Sequence, residues 1–192
     1  MTKERTMKHL ISILALSAAA WGSAQAATYQ SVQLDKSSVT FAYKQMGVSV
    51  DGRFRKFTSQ VHFDPTKPDQ MKASIDIELA SVDAGSGEAD QEVAGKAWFN
   101  TAAFPKASFV AKQIKQTAPN QYDVQGALTI KGQTRDLKFA MKHTPQGPLG
   151  VLSGGFVLKR GDFAIGEGMW SKFDVVANDI QVNFSLTAQP SK

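Results

Sequence analysis

The sequence predicts an all-β fold, in which an antiparallel sheet of eight or nine strands closes or folds over itself. Three observations support this prediction. Apolar and polar residues alternate with a period of two over most of the chain. Turn-forming residues separate these runs at hairpin spacing, and one short segment breaks the alternation. A flat, open sheet of this size would leave long unpaired edges, so closure is the favoured arrangement.

The clearest alternation marks strands in which one face is dry and the other is wet. It covers residues 39–43, 75–79, 122–130, 137–141 and 182–186. Weaker runs cover residues 54–63, 107–116 and 155–159. Lys131-Gly132-Gln133 stands between two strongly alternating runs and is the clearest hairpin turn.

The segment that breaks the pattern predicts a short helix near residues 87–97. Ser86 is a suitable N-cap, acidic residues occupy the first turns, and Lys96 lies near the end. Trp98, Phe99 and Phe104 follow directly. A short helix that leads into aromatic residues is expected to form a lid or plug on the barrel.

The N-terminal 26 residues are typical of a cleavable secretory signal. A basic start precedes an apolar run from Leu10 to Ala20, and Ala24 and Ala26 supply the small residues of a cleavage site after Ala26. The apolar run is about half the ~20 residues that a membrane-spanning helix requires. We therefore expect export to the periplasm and one domain over residues 27–192. The sequence leaves open whether Met1 or Met7 is the start.

The charge of the exported domain argues against nucleic acid as a partner. Residues 1–26 hold three of the 22 basic and one of the 17 acidic residues, which leaves 19 and 16 and a net charge of about +3. Basic residues occur singly or in pairs, such as Lys159 and Arg160, and are interpreted as solvated.

A search for catalytic or metal-binding groups finds little, so the chain is predicted to be neither an enzyme nor a cofactor protein. It has no cysteine, which excludes thiolate metal sites and thiol nucleophiles. His62 and His143 lie far apart in sequence and are interpreted as solvent-side residues. Neither a nucleophile elbow nor a phosphate-binding loop is present.

Aromatic and aliphatic residues are abundant on the predicted inner face. Two interpretations remain open from composition: these residues fill a solid core, or they line an apolar cavity that is closed by the segment from Trp98 to Phe104. The inward-facing set is Phe41, Tyr43, Phe63, Ile75, Ile77, Phe109, Leu128, Ile130, Phe139, Phe156 and Phe184.

Several strings, in this order and spacing, resemble the YceI-like family of periplasmic proteins. They are Ser81-Val82-Asp83, Trp98-Phe99-Asn100, Phe104-Pro105-Lys106-Ala107-Ser108-Phe109, Gly126-Ala127-Leu128-Thr129-Ile130-Lys131-Gly132-Gln133-Thr134 and Lys159-Arg160-Gly161-Asp162-Phe163-Ala164-Ile165-Gly166. The resemblance covers Tyr29 to about Ala188. It implies a lipocalin-like antiparallel barrel of eight strands or slightly more, whose lumen holds a polyisoprenoid or similar long amphipathic lipid.

The helix departs from the family pattern in a way that bears on the ligand. Where the family has an Arg-Asp-x-His-Leu-Arg string, this chain has Ala89-Asp90-Gln91-Glu92-Val93-Ala94. Loss of these basic groups favours a neutral lipid, such as a quinone-like molecule, over a pyrophosphate. Arg160 remains the head-group candidate, and Trp170 is expected in an aromatic flap at the mouth.

The sequence therefore predicts a non-catalytic periplasmic carrier of an apolar or amphipathic lipid. The predicted ligand-binding residues are the inward-facing set together with Trp98, Phe99, Phe104 and Trp170. The alternative is a periplasmic redox or stress accessory that binds a quinone-like ligand or a membrane cytochrome partner, and transient contact with a membrane or a membrane protein is part of either hypothesis. Ligand identity and oligomeric state stay open.

Overall fold

The computed structural model describes residues 27–190, so the predicted signal peptide lies outside the described residues. Ten antiparallel strands and one short helix make up the regular structure of this part of the chain. The elements are β1 (Tyr29–Gln45), β2 (Val48–Phe54), β3 (Phe57–His62), β4 (Lys72–Glu78), β5 (Val82–Asp83), α1 (Gly87–Ala94), β6 (Lys106–Ala118), β7 (Gln121–Ile130), β8 (Gln133–Gln146), β9 (Leu149–Lys159) and β10 (Asp179–Pro190).

All ten strands belong to one curled sheet with the order β3-β4-β6-β7-β8-β9-β10-β1-β2-β5. The backbone amide of Tyr29 donates to the carbonyl of Phe63 at 2.8 Å, and the amide of Phe63 donates to Tyr29 at 2.9 Å. These bonds join the start of β1 to the chain directly after β3, which curls the sheet around a common interior. The predicted all-β antiparallel fold is confirmed.

The strand count exceeds the prediction for local reasons. The weak run over residues 54–63 is interrupted at Arg55 and Lys56, so β2 and β3 are separate strands. β5 has only two residues, which is too short for a periodic signal. β1 is 17 residues long and begins ten residues before the alternation becomes clear at Val39.

The predicted turn and helix cap are both present. Lys131 and Gly132 connect β7 to β8 with φ angles of 48° and 73°, the two left-handed residues that a tight hairpin turn requires. The amide of Ala89 donates to the hydroxyl of Ser86 at 3.2 Å, so Ser86 caps α1. The helix ends at Ala94 rather than near residue 97, and Gly95 follows it as the C-cap.

One end of the curled sheet is filled by aromatic side chains. The ring of Phe63 lies 5.1 Å from that of Tyr122 and 5.0 Å from that of His143, and the Tyr29 ring lies 5.4 Å from His143. All four side chains are buried. This aromatic plug, formed by Tyr29, Phe63, Tyr122 and His143, closes the interior at that end.

The prediction of a solvent-side His143 is wrong. Its exposed fraction is 3%, and its Nδ1 lies 3.2 Å from the side-chain oxygen of Asn120. Position 143 lies on the inner face of β8, where its ring packs against the rings of Tyr29 and Phe63. Burial lowers the pKa of His143 below its ordinary value, which favours the neutral imidazole. His62 is half-buried.

No helix among residues 27–190 is long and apolar enough to cross a membrane.

We predict that the free energy of unfolding falls as the pH is lowered from 7.5 to 5.5. An unfolded histidine takes up a proton near pH 6.5, whereas the folded chain resists protonation of His143, so the unfolded state gains protons first. The loss begins near pH 6.5 and continues down to the folded pKa, with a slope of at most about 1.4 kcal/mol per pH unit.

Urea unfolding at several pH values measures this slope. His143→Gln should flatten it. An unchanged slope in His143→Gln would contradict the assignment.

Candidate functional site

A cavity of about 510 Å³ occupies the interior of the curled sheet, on the side of α1. Its wall is built mainly from the inner faces of β1, β7, β9 and β10, together with one face of α1. A smaller cavity of about 100 Å³ lies next to it, and the two share Val39, Ile77, Ala107, Leu128, Phe156 and Val182 in their walls. We call the larger the main chamber and the smaller the inner chamber.

The main chamber contains most of the residues that were predicted to face the lumen. They are Phe41, Tyr43, Ile77, Trp98, Phe99, Leu128, Ile130, Phe156 and Trp170. Of the remaining predicted residues, Ile75, Phe109, Phe139 and Phe184 line the inner chamber. The sheet therefore brings thirteen of the fifteen predicted residues together around one interior, although their contact with a ligand stays a prediction.

Two predicted lumen residues do not line either chamber. Phe63 points inward as expected, but it belongs to the aromatic plug and is buried. Phe104 is half-buried at the turn before β6, where its ring lies against Gly132 of the β7–β8 hairpin. For Phe63, strand alternation predicts that a residue faces inward but not whether it lies at the closed end or at the open chamber. For Phe104, alternation does not apply, because position 104 lies outside any strand.

Four phenylalanine rings pack around the inner chamber. The Phe139 ring lies 5.4 to 5.6 Å from the rings of Phe109, Phe156 and Phe184. A methyl group at Gly126 would stand 2.5 Å from the Phe109 ring, so the glycine allows this ring to lie across β7. The cluster fixes the floor of the main chamber.

The structure favours a cavity over a solid core. Phe41, Tyr43, Ile77 and Phe156 are only half-buried although they lie on the inner face. They border the main chamber, so their free surface faces the interior. A volume of about 510 Å³ lies within the range of ~300–1,000 Å³ that is usual for small-molecule sites.

Helix α1 covers one side of the main chamber and supplies its acidic groups. Ala89 and Val93 present apolar surface to the cavity, and Glu88 and Glu92 lie beside them on the same wall with exposed side chains. The four residues follow the i, i+4 spacing of a single helix face. We call the exposed part of the wall around Gln45, Glu88 and Glu92 the mouth.

Two side-chain hydrogen bonds fasten α1 over the chamber. The indole Nε1 of Trp170 donates to Glu92 at 2.8 Å, and the backbone amide of Ala84 donates to Asp90 at 2.6 Å. No residue of α1 is fully buried. The helix is therefore held at its edges and rests over the chamber with little packing beneath it.

The sequence did not single out Glu88, Glu92 or Asp90 as site residues. The signal was present, because Glu88 and Glu92 alternate with Ala89 and Val93 at helical spacing. Which face turns inward depends on the bonds to Trp170 and Ala84, and the partner of Glu92 in the first of these lies 78 positions away in sequence. Trp98 also lines the main chamber, and its Nε1 is buried without a hydrogen-bond partner among the described residues.

Arg160 was predicted as the head-group candidate, and the structure corrects that assignment. The side chain borders the main chamber, but its exposed fraction is 1%. Its guanidinium donates to six main-chain carbonyl oxygens at 2.8 to 3.3 Å, those of Ile165, Gly166, Trp170, Lys172, Val176 and Ala177. A guanidinium has five N–H donors, so none is left for a ligand.

These bonds give Arg160 a structural role. The carbonyls belong to the loop between β9 and β10, which has no strand pairing of its own apart from the bridge of Val176 to Gln45. The guanidinium also lies 5.2 Å from the Trp98 ring centre and 4.8 Å from that of Phe173. Arg160 therefore holds one wall of the chamber in place.

A second cation supports the same loop. Lys131, in the β7–β8 turn, is buried and donates to the carbonyl of Ala164 and to the carboxylate of Glu167, both at 2.7 Å. The prediction that the basic residues are solvated is thus wrong for Lys131 and Arg160. Both side chains donate to main-chain carbonyls of this loop, and Lys131 also forms an ion pair with Glu167.

We predict that Arg160→Lys and Arg160→Met each lower the free energy of unfolding by about 3 kcal/mol or more, because either change leaves several buried carbonyls without a hydrogen-bond donor. Chemical denaturation measures the loss, and Lys159→Met, at the exposed neighbour, is the matched control. A stable Arg160→Lys protein would contradict the structural role and restore the head-group assignment.

Comparison with known proteins agrees with this architecture. The YceI-like domain family matches residues 30–188. A UPF0312 protein of Azotobacter vinelandii is 31% identical over 170 residues, which cover 83% of this chain and 88% of the relative. A UPF0312 protein of Yersinia pestis is 35% identical over 142 residues, or 70% of this chain and 72% of the relative.

Two solved structures share the fold. Burkholderia cenocepacia BcnA superposes with a TM-score of 0.80 at 38% identity and covers 82% of this chain and 99% of its own. A polyisoprenoid binding domain from Saccharophagus degradans superposes with a TM-score of 0.66 over 86% of this chain and 99% of its own, and at 15% identity it speaks for the fold alone. The chain belongs to the YceI-like family.

Proposed function

We propose that this protein is a periplasmic, non-catalytic carrier that holds a neutral polyisoprenoid or similar long amphipathic lipid in the main chamber. The observation that carries the proposal is the chamber itself, about 510 Å³ in volume and lined almost entirely by apolar and aromatic side chains. Burial of a hydrocarbon chain in such a space contributes about 0.8 kcal/mol per CH₂ before association costs. The polyisoprenoid binding domain of Saccharophagus degradans shares this fold, and such a ligand is compatible with the chamber of this chain.

The chemistry of the wall supports binding rather than catalysis. Among residues 27–190 there is no group of three or more His, Asp or Glu side chains that could hold a metal ion. The carboxylates of Glu88 and Glu92 lie at the exposed mouth. His143, a candidate general base by residue type, is buried in the aromatic plug and lines neither chamber.

The mouth favours a neutral head group over an anionic one. Glu88 and Glu92 are the ionisable side chains that reach the chamber from α1, and both are acidic. The cation in the wall, Arg160, has all its donors occupied by backbone. A pyrophosphate at the mouth would therefore meet like charge without a compensating cation from the chamber wall.

A quinone-like ligand is the second candidate, and one observation favours it. Trp98 lines the main chamber, and its buried Nε1 lacks an acceptor among the described residues. A quinone carbonyl would satisfy this donor while its isoprenoid tail fills the apolar space. Under this alternative the protein serves as a redox or stress accessory to a membrane partner.

We predict that Ala107→Phe weakens lipid uptake by about tenfold or more, because Ala107 lies where the two chambers meet and a ring there would fill their junction. Trp98 and Trp170 both line the main chamber, so a ubiquinone with two isoprene units should quench tryptophan emission of the full-chain protein. Val110→Phe, exposed on the same strand, is the matched control. Unchanged quenching in a folded Ala107→Phe protein would contradict the site.

We predict that geranylgeraniol displaces this quinone at a concentration about tenfold lower than geranylgeranyl pyrophosphate does, because the carboxylates at the mouth repel the pyrophosphate. The double variant Glu88→Gln and Glu92→Gln should narrow the difference between the two displacing concentrations, because it removes both carboxylate charges at the mouth. The side-chain amide at position 92 can still accept the hydrogen bond from the Trp170 indole, so α1 stays in place. Asp174→Gln, an exposed acid outside the chamber wall, is the control. Tighter binding of the pyrophosphate would overturn the neutral-ligand assignment while leaving the carrier function intact.

A further inference from the structure

The exposed apolar side chains of this protein are concentrated in two short segments. Eight large apolar residues are exposed among residues 27–190, and five of them fall at positions 46–48 and 169–175. They are Met46, Val48, Met169, Phe173 and Val175, with exposed fractions from 39% to 87%. We call these five residues the apolar rim.

The two segments are joined to each other by main-chain hydrogen bonds. The amide of Met46, at the tip of the β1–β2 hairpin, donates to the carbonyl of Val175 at 2.7 Å. The amide of Ala177 donates to Lys44 at 2.9 Å. The hairpin tip and the β9–β10 loop therefore form one surface, although about 120 residues separate them in sequence.

The apolar rim is continuous with the wall of the main chamber. Gln45 and Val176 pair as an isolated bridge, and both line the chamber. Their direct neighbours Met46 and Val175 belong to the rim. Trp170, which fastens α1, follows Met169. A lipid that leaves the chamber on this side would pass along the rim.

We infer that the apolar rim inserts into the interfacial layer of a phospholipid bilayer, so that cargo passes between membrane and chamber without crossing water. This inference rests on the proposed carrier function and names the surface through which it operates. Met46 has a φ of 50° at a tight turn, so its side chain stands out at the tip of the hairpin. Protruding single side chains of this kind enter a fluid interface without requiring a matching surface.

The size of the rim argues for a bilayer rather than a second copy of the chain. A stable protein interface involves about 20–30 residues a side. The rim has five apolar residues on two loops. The strands that flank the hairpin tip carry polar or charged residues on their outer face, among them Lys44 and Ser49.

The charges near the rim are mixed. Lys44 and Lys172 are exposed beside Asp51 and Asp174, and Asp174 also accepts from the amide of Val175 at 3.0 Å. Attraction to anionic lipid is therefore weak, and insertion of apolar side chains supplies the affinity. Neutral phosphatidylcholine vesicles should suffice, with little dependence on salt.

The experiment combines flotation of the full-chain protein with phosphatidylcholine vesicles and the rate of quinone uptake. A ubiquinone with four isoprene units is delivered either from vesicles or from a water-miscible solvent, and tryptophan quenching follows uptake. The test variant is Met46→Gln with Met169→Gln, because these side chains are the most exposed of the rim. The matched control is Val110→Gln with Val157→Gln, both exposed on outer strand faces.

We expect the wild-type and control proteins to float with vesicles and to take up quinone faster as vesicle concentration rises. The test variant should lose at least about fivefold in both, with uptake from solvent unchanged. A test variant that floats with vesicles and takes up quinone from them as fast as wild type overturns the inference. A wild-type protein that takes up quinone from solvent but neither floats with vesicles nor takes up quinone from them also overturns it. A wild-type dimer that dissociates in the test variant, seen by sedimentation, would reassign the rim to a second copy.

The two claims fail separately. Flotation of the wild type without quinone uptake from either source would sink the carrier function and leave the docking surface standing.

Discussion

The guanidinium of Arg160 is the interaction on which the candidate site depends. A loop of about 18 residues between β9 and β10 forms part of the chamber wall and part of the apolar rim, yet it has almost no strand pairing. Six of its carbonyl oxygens converge on one buried side chain. An unpaired buried carbonyl is costly, so the single cation lets an irregular segment keep one conformation.

The same bonds connect the two ends of the proposed function. On the inner side they place Ile165, Trp170 and Val176 against the chamber, and Trp170 in turn fastens α1 through Glu92. On the outer side they present Phe173 and Val175 at the surface beside the β1–β2 hairpin tip. A rigid wall, a lightly held helix and an apolar rim thus meet at one place, which is what the entry of an apolar ligand requires.

Much of this architecture follows from period-two alternation. Phe41, Ile77 and Phe156 were predicted to face inward because apolar residues recur at every second position, and the closed sheet turns that face toward one interior. The alternation could not separate Phe63 in the plug from Phe109 at the inner chamber, because depth along the barrel depends on register between distant strands. His143 was predicted to face solvent although it continues the alternation of Leu137, Phe139 and Met141, and its burial in the aromatic plug depends on the distant residues Tyr29 and Phe63.

The basic residues show the other limit of sequence reasoning. Arg160 was read as a solvated residue or a head-group donor, since a lone arginine carries no local sign of burial. Its partners are main-chain carbonyls 5 to 17 positions away. Every residue type carries a main-chain carbonyl, so the sequence does not show which carbonyls an arginine will bind. The acidic mouth was foreshadowed, because the loss of basic groups from the helix is visible in the sequence, but its direction toward the chamber required the bonds of Trp170 and Ala84.

We propose that the main chamber holds a neutral isoprenoid-type lipid, and native mass spectrometry of the protein, expressed as the full chain in its own host, is the decisive measurement. We expect an added mass that organic extraction identifies as an uncharged isoprenoid or quinone and that is missing from Ala107→Phe. A protein that is consistently without added mass, and whose tryptophan emission no apolar probe quenches, would contradict it.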